Sequence, residues 1–113
     1  MTDCLFCKIV AGDVPAKIVL ETARTIAFRD INPQAPTHIL IVPRKHIASL
    51  NELTEEDAPL VGHLHMVAKQ LAAAEGLTSG YRTLFNTGLQ AGQTVWHIHL
   101  HLIGGRALGW PPG

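Results

Sequence analysis

The sequence predicts an α+β domain: an antiparallel sheet of about five strands with one long and one short helix. Three observations carry this. The segment Thr94–Ile103, TVWHIHLHLI, alternates at period two, as a strand with one buried face does. Four other short runs rich in aliphatic and β-branched residues lie between turn-forming residues. One central stretch repeats its apolar residues every three or four positions, as a helix does. At 113 residues the chain is expected to be a single domain, residues 1–113, with no internal boundary.

Each element follows from local chemistry. DCLFCKIVAG is a short apolar segment, a turn or two of helix, that stops at Gly12 ahead of Pro15. KIVLE and TIAFRD suit a hairpin around a small turn at Thr22–Arg24. Asn32-Pro33 and Ala35-Pro36 make a stiff connection, because proline fixes its own φ and biases the residue before it toward extended backbone. HILIVP is the third strand, closed by Pro43. Thr54-Glu55-Glu56-Asp57 resembles a capping box with Asp in the Glu position, and its acidic residues suit the positive end of a helix dipole. Leu60, Leu64, Val67, Leu71 and Ala72 then recur at helical spacing up to Gly76. Pro59 would lose a backbone bond beyond the first turn, so the helix is expected to start a few residues after Thr54. YRTLFN returns to strand, TGLQAGQ connects through glycines, and the histidine strand completes the sheet.

Composition bounds the function. Nine basic and nine acidic residues cancel, so no long-range field favours nucleic acid or an anionic membrane. The longest apolar runs are far too short to span a bilayer, and Asp3 stands where a signal peptide would carry positive charge. A cytoplasmic protein with neither a nucleic-acid nor a membrane partner is expected.

On a strand, His97, His99 and His101 share one face, with Cα atoms about 6 to 7 Å apart from the rise per residue. Three readings compete: wet or structurally bonded imidazoles, a zinc site, and nucleophilic attack at phosphorus by a neutral imidazole. Gly92, Gln93 and Thr94 just upstream, with Asn86 and Gly88 further back, offer backbone N–H groups, an amide and a hydroxyl. Such neutral donors suit phosphate oxygens better than a bare metal.

GQTVWHIHLH matches the pattern His-x-His-x-His preceded by Gln-x-Val-x. Together with DINPQAPTHILIVPRKHI, NTGLQAGQ and the tail GGRALGWPPG, it makes the chain resemble the Hint branch of the histidine triad family over nearly its whole length. The resemblance implies that family's fold, with the sheet extended across a homodimer. It also implies hydrolysis or transfer at the α-phosphorus of a nucleotide, and in the Hint branch cleavage of purine nucleoside 5′-phosphoramidates.

Residue by residue, His99 resembles the family nucleophile that forms a covalent nucleotidyl intermediate. Its other nitrogen would donate to the backbone carbonyl of His97 and so fix the reactive tautomer. Asn86, Thr94 and His101, with the Gln93–Thr94 backbone near Gly92, resemble the phosphate grip; the family more often has Ser where Thr94 stands, and the hydroxyl is kept. His38 matches a histidine near the triad that helps to pass a proton. Asp30 matches the acidic residue that accepts from both ribose hydroxyls, a task for two acceptor oxygens. Phe6, Ile9, Phe28, Ile31 and Leu40 resemble an apolar slot for the base. Such a slot discriminates poorly between bases.

Cys4 and Cys7 form a C-x-x-C pair, which in an intracellular chain suggests zinc or a redox pair more than a structural disulfide. His46 is a candidate third ligand. The resemblance to zinc-bearing members of the family implies His97 as the fourth, the zinc being structural; Hint proteins often lack these cysteines. No organic cofactor is implied. His63 and His65, two apart in the helical stretch, do not face each other and are read as structural or solvent-facing. Trp110-Pro111-Pro112-Gly113 cannot continue a helix. In Hint proteins, which this tail resembles, residues corresponding to 104–113 cross to the partner, implying a homodimer with Trp110 on the leaving-group side.

Other readings stay open on the sequence alone. The Fhit branch shares nucleophile and phosphate grip but cleaves dinucleoside polyphosphates, although the WPPG ending favours Hint. A nucleotide-binding regulatory module would use the same pocket, and a zinc-dependent hydrolase would use the triad as ligands.

Overall fold

The computed structural model describes residues 3–113. The order is α1 (Leu5–Val10), β1 (Ile18–Glu21), β2 (Thr25–Arg29), β3 (Thr37–Pro43), α2 (Ala58–Ala74), β4 (Tyr81–Leu84) and β5 (Leu100–Gly104), with short 3-10 turns at Leu50–Glu52, Glu55–Asp57 and Leu89–Ala91. One antiparallel sheet has the strand order β1-β2-β3-β5-β4. The α+β class and the five strands expected from the sequence are both present.

The expected turn at Thr22–Arg24 closes the β1–β2 hairpin: Thr22 N–H donates to the Thr25 carbonyl, and the Thr22 hydroxyl accepts from the amides of Arg24 and Thr25. His63 is structural, its Nε2 reaching both threonine hydroxyls at 3.2 and 3.4 Å. α2 does begin after Thr54. The capping box closes on the Glu55–Asp57 turn, and Pro59 falls in the first helical turn, where its missing N–H costs nothing.

The sheet is covered on both sides, because β3 is buried along its whole length. Ala27, Ile39, Ile41, Leu100 and Leu102 pack under Leu64, Val67, Ala68 and Leu71 of α2. Ile26, Phe28, Leu40 and Val42 point the other way and meet Phe6 and Ile9 of α1.

That corrects the expectation of a histidine strand with one buried face. His97 and Ile98 are both buried, one on each side. The strand is also shorter than Thr94–Ile103. Ladder pairing stops at Ile41–Leu100, because β3 ends two residues later at Pro43. Ile98 N–H then donates to the Ile47 carbonyl, beyond the sheet. YRTLFN likewise pairs only over Tyr81–Leu84. His97 and His99 therefore lie in an irregular, bent approach to β5, where side chains can be held by loop backbone.

Candidate functional site: coupled imidazoles and a four-donor cluster

The approach to β5 is fixed by one amide. Gln93 is buried, and its Nε2 donates to the carbonyls of Ala48 (2.7 Å) and Val95 (3.1 Å), while its Oε1 accepts from Gly88 N–H (3.0 Å). Gly92, with φ 89°, turns the chain in the left-handed region, its N–H bonded to the Leu89 carbonyl. Gln93 N–H is taken by the Gly88 carbonyl. The expectation that Gly92 and Gln93 grip phosphate is thus corrected for these groups: they are committed to the loop. Of the other neutral donors expected in that grip, Thr94 is exposed and Asn86 half-buried.

Backbone acceptors then set each imidazole. His97, fully buried, donates from Nε2 to the Pro43 carbonyl at 2.7 Å, which leaves Nδ1 as its lone-pair nitrogen. His99 donates from Nδ1 to the His97 carbonyl at 2.8 Å, leaving Nε2 bare. The Phe6 ring stands perpendicular to His99, with centroids 4.9 Å apart. Burial, outweighing the hydrogen bond to His97, pushes the His99 pKa down and so favours the neutral base.

His38 and His101 are set in the opposite sense. Gln34 N–H donates to His38 Nδ1 at 3.0 Å, so neutral His38 carries its proton on Nε2. That proton points at His101 Nδ1, 2.9 Å away, with Asp30 Oδ2 at 3.4 Å. His101 must then bear its proton on Nε2. This nitrogen is the buried side-chain polar atom left without a partner among the described residues. Burial first, then His99 and His38, push the His101 pKa down to about 4. Asp30, His38 and His101 are close enough to suggest a metal site. Direct hydrogen bonding between the two rings makes them a relay of imidazoles instead.

The metal-donor set predicted from the sequence is assembled. Cys4 Sγ lies 3.4 Å and Cys7 Sγ 3.6 Å from His97 Nδ1; Cys7 Sγ is 3.3 Å from His46 Nδ1, and the two imidazole nitrogens are 3.2 Å apart. Tetrahedral zinc with these ligand types needs donors about 3.3 to 3.8 Å from one another. The residues fit the ion. The His97 Nε2–H bond to Pro43 is the outer-shell contact that holds such a ligand. Both cysteines are free thiols, and burial pushes the Cys7 thiol up, a cost that coordination would relieve.

Other predicted residues are scattered by comparison. Phe6, Ile9, Phe28 and Leu40 come together, but as a packed core layer. Ile31 is 98 % exposed and lies outside that packed layer, next to a turn in which Asp30 Oδ1 accepts from Asn32 N–H at 2.8 Å. Trp110 is 83 % exposed, and Arg82 holds the neighbouring Gly109 carbonyl beside β4. Sequence reasoning missed Gln34 N–H and the Pro43 carbonyl. Backbone groups leave no side-chain signature; only the two prolines flanking Gln34 hinted at a fixed turn.

Comparison with known proteins agrees with this geometry. Residues 3–108 match the family described as scavenger mRNA decapping enzyme C-term binding. The chain is 55 % identical to an uncharacterized HIT-like protein of Synechococcus elongatus, over 98 % of this chain and 97 % of that one. A crystal structure of a HIT family hydrolase from Legionella pneumophila superposes with a TM-score of 0.97 at 54 % identity, covering 98 % of this chain and 100 % of the other. A histidine triad nucleotide-binding protein from Candida albicans gives a TM-score of 0.82 at 35 % identity, covering 96 % and 83 %.

Proposed function

The chain belongs to the histidine triad family, and from that premise we propose that it hydrolyses purine nucleoside 5′-phosphoramidates, releasing AMP or GMP and an amine. Hydrolase and nucleotide binding are the words carried by its structural relatives. The observation that carries the reading is a pair of adjacent imidazoles in complementary tautomers: His99 presents a bare Nε2, and His101, 4.9 Å away between ring centroids, presents an unpartnered Nε2–H.

Such a pair divides the work of phosphorus chemistry. His99 Nε2 attacks the α-phosphorus as the bond from phosphorus to the amine nitrogen breaks. His101 Nε2–H donates to the developing charge, in a site where burial strengthens the bond. The amine leaves with a proton that the water of the second step returns, as that water displaces His99 from phosphorus. Asn86 and Thr94 complete the grip at the rim, and Asp30 takes the ribose hydroxyls.

We further propose zinc on Cys4, Cys7, His46 and His97. When bound, it would tie α1 to the loop after β3 and to the approach to β5 that carries the nucleophile. Four protein donors make a closed site of the structural kind. His99 and His101 lie outside it, which argues against a zinc-bound water as nucleophile. The homodimer is part of the same reading: β4 is an edge strand, and Tyr81 on it and Met66 on α2 are exposed.

The deciding experiment is intact-protein mass after rapid quench at neutral or mildly alkaline pH, where a phosphorus–nitrogen link to histidine survives. With an adenosine 5′-phosphoramidate, wild type should gain one AMP transiently and His99→Ala none. Fast turnover with no adduct at any time point would overturn the covalent step.

A further inference from the structure

The Cys4–Cys7 pair is placed for a second chemistry besides holding a metal. Cys4 is the N-cap of α1, its Sγ accepting from Cys7 N–H at 3.3 Å, and both residues are only half-buried. Their sulfurs lie within 4.8 Å of each other. Cα atoms three apart on one helical turn sit about 5 Å apart, inside the span a disulfide bridges. The same two sulfurs can therefore serve as metal donors or join to each other.

A disulfide here would reach the nucleophile by two routes. His97 would offer its ring to the metal and its carbonyl to His99 Nδ1, so one residue carries both the cluster and the nucleophile's tautomer. The second link runs through α1. Phe6 sits between the two cysteines, and its ring packs against His99. Losing both sulfur donors leaves His46 and His97, two ligands where a closed tetrahedral site takes four.

We propose that Cys4 and Cys7 are a reversible redox modification site, in which a hydroperoxide oxidises the pair to an intramolecular disulfide and thereby loosens the setting of His99. One cysteine sulfur attacks the peroxide oxygen, giving a sulfenic acid and an alcohol or water. The second sulfur displaces the hydroxyl as water, and the S–S bond forms. Two thiols lose two electrons and two protons; the O–O bond is reduced. A dithiol reverses the change by exchange. The inference rests on the zinc reading for ion release, but not for disulfide formation.

The test uses full-length protein as isolated, with zinc measured by elemental analysis, then treated with equimolar hydrogen peroxide. The expected result is a monomer lighter by two hydrogens with a Cys4–Cys7 cross-linked peptide, release of the bound zinc to a chromogenic indicator, and turnover lower by about tenfold. Dithiothreitol plus zinc should restore it. The NMR signal of the His99 Nδ1–H proton should shift or broaden on oxidation, a readout independent of which substrate the enzyme takes. Sulfinic or sulfonic products, a disulfide between chains, or an intramolecular disulfide that leaves both turnover and that proton unmoved would each overturn the proposal. Protein isolated without zinc would sink the zinc reading alone, and the effect of the disulfide on the His99 proton would still decide this one.

Discussion

His38 Nε2 donates to His101 Nδ1 across 2.9 Å, and this bond decides where His101 keeps its proton. Because Gln34 N–H occupies the far side of the His38 ring, the order is fixed from the backbone inward: Gln34, His38, His101. Protonating His101 would set two N–H groups against each other. Burial first, then the neighbouring His99 and His38, hold its pKa down, and Asp30 opposes them.

The pH dependence this creates has a definite sign. The folded pKa of His101 lies at about 4, below its ordinary 6.5, so the unfolded state binds the proton more readily. Stability from this group is fully present above 6.5 and is lost as pH falls toward 4. The loss is on the order of 3 kcal/mol for this residue before solvent screening. Urea unfolding at a series of pH values should show a midpoint that declines across that window, and a flat profile would show that His101 is not held neutral. Turnover should likewise persist below the usual imidazole range. In His38→Phe, which keeps the bulk but removes the donor, its acid limb should move up.

Removing the nucleophile should separate chemistry from binding. His99→Ala is expected to lose turnover by about a thousandfold or more, since no other bare imidazole nitrogen is positioned to replace it. AMP affinity should change only a few-fold by calorimetry. Retained turnover would dismiss the covalent mechanism.

Asp30→Asn is a cleaner test of the ribose contact than Asp30→Ala. The amide would keep one acceptor oxygen for Asn32 N–H, so the turn survives while the charge and second acceptor go. KM for a ribose substrate should rise roughly tenfold, the scale of a hydrogen bond to a charged group. A dideoxyribose analogue should hardly distinguish variant from wild type. Equal penalties on both substrates would place Asp30 away from the sugar.

Gln93→Ala probes a residue read from sequence as part of the phosphate grip. Its amide serves three backbone groups, and truncation strands them beside His97 and His99. Stability should fall by about 2–4 kcal/mol in urea unfolding. Turnover should fall with it while the Kd for AMP moves less, because the loop and not the ligand loses its bonds. A stable variant with weakened AMP binding would return Gln93 to the grip.

Gln93 also marks how far the sequence could be read. Hairpin, long helix and the succession of strands along the chain were legible because hydrophobic period and turn chemistry are local. Cys4, Cys7, His46 and His97 were legible as chemistry, and the fold brings them together from α1, the end of β3 and the approach to β5. The length of β5 was not, since its end is decided by where a different strand stops, at Pro43. Nor was the cover over the histidines: α1 is six residues long, and nothing local says which face it will take. Ile31 shows the converse limit, as an aliphatic residue that is exposed next to the Asp30–Asn32 turn.

Metal removal is the prediction that separates bracing from catalysis. Zinc bound at a hundred times its Kd adds about 2.7 kcal/mol by mass action, so a strong chelator should lower Tm by on the order of 10 °C. The same drop is expected in His99→Ala, because the nucleophile lies outside the donor set. Cys7→Ser, which loses a sulfur facing both His46 and His97, should melt near the chelated wild type and respond little to further chelator. Residual turnover should remain in the chelated enzyme, since His99 keeps its bond to the His97 carbonyl. Complete and immediate loss of turnover with an unchanged Tm would instead assign the ion to the chemical step. Scanning fluorimetry beside a phosphoramidate assay on the same samples reads both.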